Sequence, residues 1–152
     1  MASTADPAKR HLLYTHHRQA GVDFSDGDYW LVINDHAGSA GSSSLIYRRK
    51  APLVYEQGTD LHVAAWKFFD QRNGLKTPRK GKIEEDYDKS VGLEANPFDH
   101  RYVDAVCWVD DSPPTLLIRL HGYKDDHSHT NWLCLYDVRA KSFSTNFDAH
   151  NK

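Results

Sequence analysis

Cysteine is scarce in this chain, with two in 152 residues. Two thiols cannot build the multi-bridge framework of small secreted domains, so the core has to come from apolar packing, for which this length suffices. Alternation along the C-terminal third puts Cys107 with Val103, Ala105 and Val109, and Cys134 with Trp132 and Tyr136. A disulfide needs Cα atoms within about 7 Å and converging Cβ vectors. On opposite faces the pair fails that test, and two reduced thiols in a reducing compartment are expected.

Long apolar runs are also missing. Nothing approaches the roughly 20 residues that span a bilayer, and the first ten residues, MASTADPAKR, lack the apolar segment of a signal peptide. Cytoplasmic residence without a membrane is the expectation, or export with a leader already removed. Nor is there an excess of positive charge, since 19 Lys and Arg face 21 Asp and Glu for a net charge of -2. A general nucleic-acid binder needs clustered basic residues. Arg48-Arg49-Lys50 and the run Lys76 to Lys82 lack interleaved aromatics for base stacking, and Glu84, Glu85 and Asp86 oppose the second run. Nucleic acid is therefore not an expected partner.

What is present is β pattern. Val103 to Val109, Thr115 to Tyr123, Asn131 to Val138 and Ser142 to Thr145 read as four strands. Asp110 to Pro114, Lys124 to Thr130 and Arg139 to Lys141 supply the turns, so the strands form an antiparallel meander. Upstream, His11 to His17 and Gly21 to Phe24 read as edge strands, and Ser25-Asp26-Gly27 turns the chain into Tyr29 to Asn34. Ser44 to Lys50 and Leu53 to Glu56 follow the Gly/Ser-rich loop Asp35 to Ser43. That loop lacks the lysine and the strand-to-helix setting of a phosphate-binding P-loop and is expected to be a plain connection.

Between Asp60 and Arg72 the period changes from two to 3.6. Leu61, Ala64, Ala65, Phe68 and Phe69 make an apolar stripe, Thr59 or Asp60 can cap the first turn, and Asn73-Gly74 can end the helix. Ile83, Tyr87 and Val91 have the spacing of a short second helix. The expected class is α+β: an antiparallel sheet with a C-terminal four-stranded meander and one principal amphipathic helix over one face. A mostly β sandwich or barrel is the alternative. Residues 1–10 read as a disordered tail, and 11–152 as a single globular domain.

Ten histidines are an unusual load. Each titrates near pH 6.5 when unperturbed, and full protonation would carry the formal charge from -2 to +8. The densest ligand-type cluster is Asp125, Asp126, His127 and His129 in the turn between two meander strands. Carboxylate and imidazole suit a divalent ion, with His121, His100 or His36 as further donors. No cofactor is otherwise expected, and neither H-E-x-x-H nor G-x-S-x-G occurs.

The second candidate is one side of the meander. Strict alternation groups Val103, Ala105, Cys107, Val109, Leu116, Ile118, Leu120, Leu133 and Leu135 on an apolar face. Trp108, Arg119, His121, Trp132, Cys134 and Tyr136 then share the other. Trp, Tyr and Arg are enriched at binding hot spots because they join desolvatable area to directional donors. Trp108, Arg119, His121, Trp132 and Tyr136 thus form an expected partner-binding surface. The expected function is a small protein-binding module of the toxin-neutralising immunity protein or inhibitor kind. The alternative is a metal-dependent hydrolase or lyase at the His/Asp cluster.

Overall fold

A computed structural model describes residues 12–16, 18–36, 38–39, 41–75, 98, 100–124 and 128–148, with the backbone alone at 124, 128 and 129. The expected tail over residues 1–10, the expected second helix around Ile83, Tyr87 and Val91, and the basic run 76–82 lie outside the described residues.

The order of elements is β1 (Gln19–Phe24), a single 3-10 turn (Asp26–Asp28), β2 (Trp30–His36), β3 (Ser43–Ala51), β4 (Val54–Asp60), α1 (Leu61–Arg72), β5 (His100–Asp111), β6 (Pro114–Lys124), β7 (Ser128–Asp137) and β8 (Ser142–Ser144). The strands form two antiparallel four-stranded sheets, β1-β2-β3-β4 and β5-β6-β7-β8. The C-terminal meander and the helix match expectation, but the N-terminal strands build a sheet of their own. The reason lies in burial. Leu31, Val32 and Ile33 are consecutive and all buried, so the first sheet is covered on both faces instead of supplying one edge of a larger sheet.

On one side Val32 and Ile46 join Leu61, Ala65, Trp66 and Phe69 of α1 and Val103, Leu116, Ile118, Leu120, Cys134 and Tyr136 of the second sheet in one core. Burying each large aliphatic side chain there contributes about 1.5–3 kcal/mol before entropy is counted. On the other side Leu31, Ile33, Leu45 and Tyr47 are covered by Leu13 and Tyr14. The expected edge strand at His11 to His17 is corrected on this point: residues 12–16 carry no strand. They pack as an irregular segment anchored by the Tyr14 hydroxyl, which donates to Asp35 Oδ2.

Helix α1 begins where Asp60 Oδ1 accepts from the His62 N–H at 2.9 Å, and Gly74 at φ +66° lies just past its end. Its buried stripe is Leu61, Ala65, Trp66 and Phe69, which is turned slightly from the expected one to admit Trp66. Gly122 makes room for that ring: a Cβ there would lie 2.8 Å from both Trp66 and Phe98. No helix among the described residues is long and apolar enough to cross a membrane.

β5 is an edge strand of the second sheet, and its free edge is closed by side chains of the first. The Ser42 hydroxyl accepts from Val103 N–H at 3.0 Å, and the Asn34 amide binds both main-chain groups of Ala105. Ser44 Oγ accepts from the same Ala105 N–H at 2.9 Å and sits 2.7 Å from Asn34 Oδ1 and 3.1 Å from the Val103 carbonyl. The Gly/Ser loop read as a plain connection thus ends in the residues that join the sheets. Gly41 belongs to this junction, because a Cβ there would meet the Arg101 carbonyl oxygen at 2.4 Å.

Candidate functional site

Register decides which side chains share a surface. Val103 pairs with Leu120 and Ala105 with Ile118, after which the register shifts and Cys107 pairs with Leu117 and Trp108 with Leu116. The extra residue, Val106, reverses the alternation for Cys107 and Trp108, before a second shift between Trp108 and Asp110. On β7, Leu120 faces Trp132, Ile118 faces Cys134 and Leu116 faces Tyr136.

The expected grouping is therefore corrected. Trp108, Trp132 and Tyr136 share the inner face with the aliphatic residues of β6. The Trp132 ring lies 5.3 Å from Phe69 and 5.7 Å from Phe68, and Tyr136 is buried beside Phe143 at 4.7 Å. Leu133 and Leu135, expected inside, take the outer face with Cys107 and Leu117. Leu133 is 43% exposed, whereas Leu135 is buried as expected, at 3%. Cys107 and Cys134 do occupy opposite faces and are free thiols, although Cys134 is the one in the core.

Arg119 and His121 remain on the outer face and acquire neighbours. The cross-strand pairs there are His100 with Tyr123, Tyr102 with His121, and Asp104 with Arg119. Directly opposed pairs of this kind are the unit of side-chain interaction on a sheet. His100 stacks on Tyr123 with ring centres 4.4 Å apart and planes 10° apart. Tyr102 stacks on His121 at 5.7 Å and on Tyr123 at 6.0 Å, and the two phenol oxygens are 3.3 Å apart. The connection before β3 closes over one end: the Ser39 carbonyl accepts from the Tyr102 hydroxyl and approaches His100 Nδ1 at 3.1 Å. The Tyr102 phenol is pushed up to about 12, by its hydrogen bond with Tyr123 first and burial second, so it is neutral over the physiological range.

Asp104 is the electrostatic centre. Its carboxylate accepts from Ser42 Oγ at 3.1 Å and from Arg119 at 3.1 Å, with His36 Nε2 at 3.5 Å. Asp104 is 12% exposed at its side chain and Arg119 is 47% exposed. The carboxylate therefore acts inward, fixing the guanidinium, while Arg119 keeps donors turned to the outside; a guanidinium has five N–H groups in a planar fork. The result is a strip of stacked rings ending in an oriented cation. It can offer aromatic area and directional hydrogen bonds to a docking surface.

Tyr102, Asp104 and Tyr123 were not singled out from the sequence, and His36 and His100 were named there only as further metal donors. The signal was present: 100, 102 and 104 alternate with core residues of β5, as 119, 121 and 123 do on β6. Pairing them needed the register. The turn residues Asp125, Asp126 and His127 lie outside the described residues, as does the side chain of His129. No group of three or more metal-type ligands occurs among the described residues. Comparison of the chain with protein-family models, with curated proteins and with solved structures returned no match.

Proposed function

We propose that this chain is a protein-binding module that engages its partner through the outer face of β5 and β6. The observation that carries this is the ring strip His100, Tyr102, His121 and Tyr123 set beside an Arg119 that Asp104 holds in place while leaving it 47% exposed. Rigid rings bring contact area at low conformational-entropy cost, and a pre-oriented guanidinium loses little freedom on binding, which is the character of a hot spot. In the narrower reading the module is a toxin-neutralising immunity protein or inhibitor, so that docking blocks the partner's activity.

The test is stoichiometric capture of a partner from cells that make this chain, followed by affinity measurement with the purified partner. Arg119→Ala and Tyr102→Ala should each weaken binding at least tenfold with an unchanged circular dichroism spectrum. Equal affinity in both variants would refute the assignment of this face. Restored cell growth when the chain is co-expressed with its partner would support the narrower reading.

A further inference from the structure

A second site lies away from that strip, where the β7–β8 turn approaches the first sheet. Tyr29, Trp30, Arg48, Val138, Arg139 and Lys141 line an open cleft of about 440 Å³. Small-ligand clefts run from about 300 to 1,000 Å³. Three of the six lining residues are cationic and none is a carboxylate. Arg139 and Lys141 make no ion pair among the described residues, while the neighbouring Lys50 is paired with Glu56 at 2.6 Å.

The cations are set by the fold. Arg48 lies over the Tyr29 and Trp30 rings at 5.5 and 5.8 Å and donates to the Tyr29 hydroxyl at 3.0 Å. That hydrogen bond, with the charge of Arg48 behind it, lowers the Tyr29 phenol from its ordinary value, and Arg139 and Lys50 act in the same sense. The turn is held by Asp137 Oδ1, which accepts from the Arg139 and Ala140 N–H groups at 2.8 Å each, and Lys141 takes a left-handed conformation at φ +54°. The carboxylate on that turn thus caps the main chain and does not line the cleft. Tyr29 is 45% exposed at the rim of the cleft.

We propose that this cleft binds a small phosphate monoester carrying a planar ring, of mononucleotide size. Two guanidinium groups and an ammonium on an open cleft match a dianion better than a single carboxylate, and arginine forks suit phosphate oxygens geometrically. The exposed Tyr29 ring supplies a stacking surface for a base, an interaction indifferent to its identity.

The probes are AMP, inorganic phosphate, chloride, adenosine and polyglutamate, each titrated at one ionic strength and followed by amide shifts of residues 29, 30, 48 and 138–141. AMP should saturate those shifts with at least tenfold tighter affinity than phosphate or adenosine. Arg139→Ser combined with Lys141→Asn, both at exposed turn positions, should weaken AMP at least tenfold with the remaining spectrum unmoved. Shifts that AMP and chloride produce equally, or that survive the double substitution, would overturn the site. Tighter binding of polyglutamate than of AMP would also overturn it, by assigning the cleft to an acidic protein segment.

Discussion

The side-chain amide of Asn34 spans the main chain of Ala105, with Nδ2 donating to its carbonyl at 2.8 Å and Oδ1 accepting from its N–H at 2.9 Å. One side chain thus does for β5 what a neighbouring strand would, and does it from another sheet. An open edge is a template for pairing with other chains, and this amide, with Ser42 and Ser44, occupies it. The same contact sets Asp104, the preceding residue, against Ser42 and so positions Arg119.

Asn34→Ala should destabilise the fold by about 1–3 kcal/mol, since the Ala105 carbonyl loses its side-chain donor while its N–H keeps Ser44. Urea unfolding with an unchanged slope and a lower midpoint is the expected record. A loss under about 0.5 kcal/mol would mean that water replaces the amide at no cost.

Two glycines should resist a methyl group and a third should accept one. Gly122→Ala drives a Cβ into Trp66 and Phe98 at 2.8 Å, an overpacking worth about 1–3 kcal/mol. Gly41→Ala meets the Arg101 main-chain oxygen at 2.4 Å, which yields less readily than a side chain, so its loss should be the larger. Gly21→Ala finds its nearest neighbour at 3.9 Å and should leave the melting temperature within a degree or so, as surface substitutions usually do. Equal melting temperatures for all three would contradict the packing described.

Alkaline pH should loosen the segment over the first sheet. The Tyr14 phenol is raised from 10.0 to about 12, by its hydrogen bond to Asp35 first and by burial second. The neutral phenol is the form the fold favours, so its contribution is whole below pH 10 and is lost as pH climbs from 10 toward 12. The stability advantage of wild type over Tyr14→Phe should therefore shrink between pH 9 and pH 11.5. An advantage that stays constant over that range would show the hydroxyl to be uncoupled from folding.

The two thiols should react very differently. Burial pushes the Cys134 thiol up to about 12, and the thiolate is the reactive form. Native protein at pH 8 should consume one equivalent of a disulfide reagent, at the half-buried Cys107, and a second only after denaturant is added. Two equivalents reacting at one rate in native protein would place Cys134 outside the core.

Apart from the strand expected at His11 to His17, the strands of the described residues, their turns and the helix were legible because period and turn chemistry are local. Ser25-Asp26-Gly27, Arg139 to Lys141 and the change of period at Asp60 each declare themselves within a few residues. What was not legible is long-range. The bulge at Val106 leaves no mark in the sequence, yet it exchanges the faces of Cys107 and Trp108. Leu133 and Trp132 are both apolar, so pattern could not say which of them faces the helix. Splitting into two sheets depends on Asn34, Ser42 and Ser44 meeting β5, contacts about 60 to 70 positions apart in the chain. Arg119 and His121 were found on the right face, but the companions that orient them came from the register.

The most direct measurement is site-specific photocrosslinking to the captured partner, with a benzophenone side chain placed at His121 in one variant and at Val63 in another. Val63 is 67% exposed on α1, away from the strip, and serves as the control. A covalent adduct from position 121 and none from position 63 is the expected result. An adduct from position 63 alone would contradict docking through the outer face of β5 and β6.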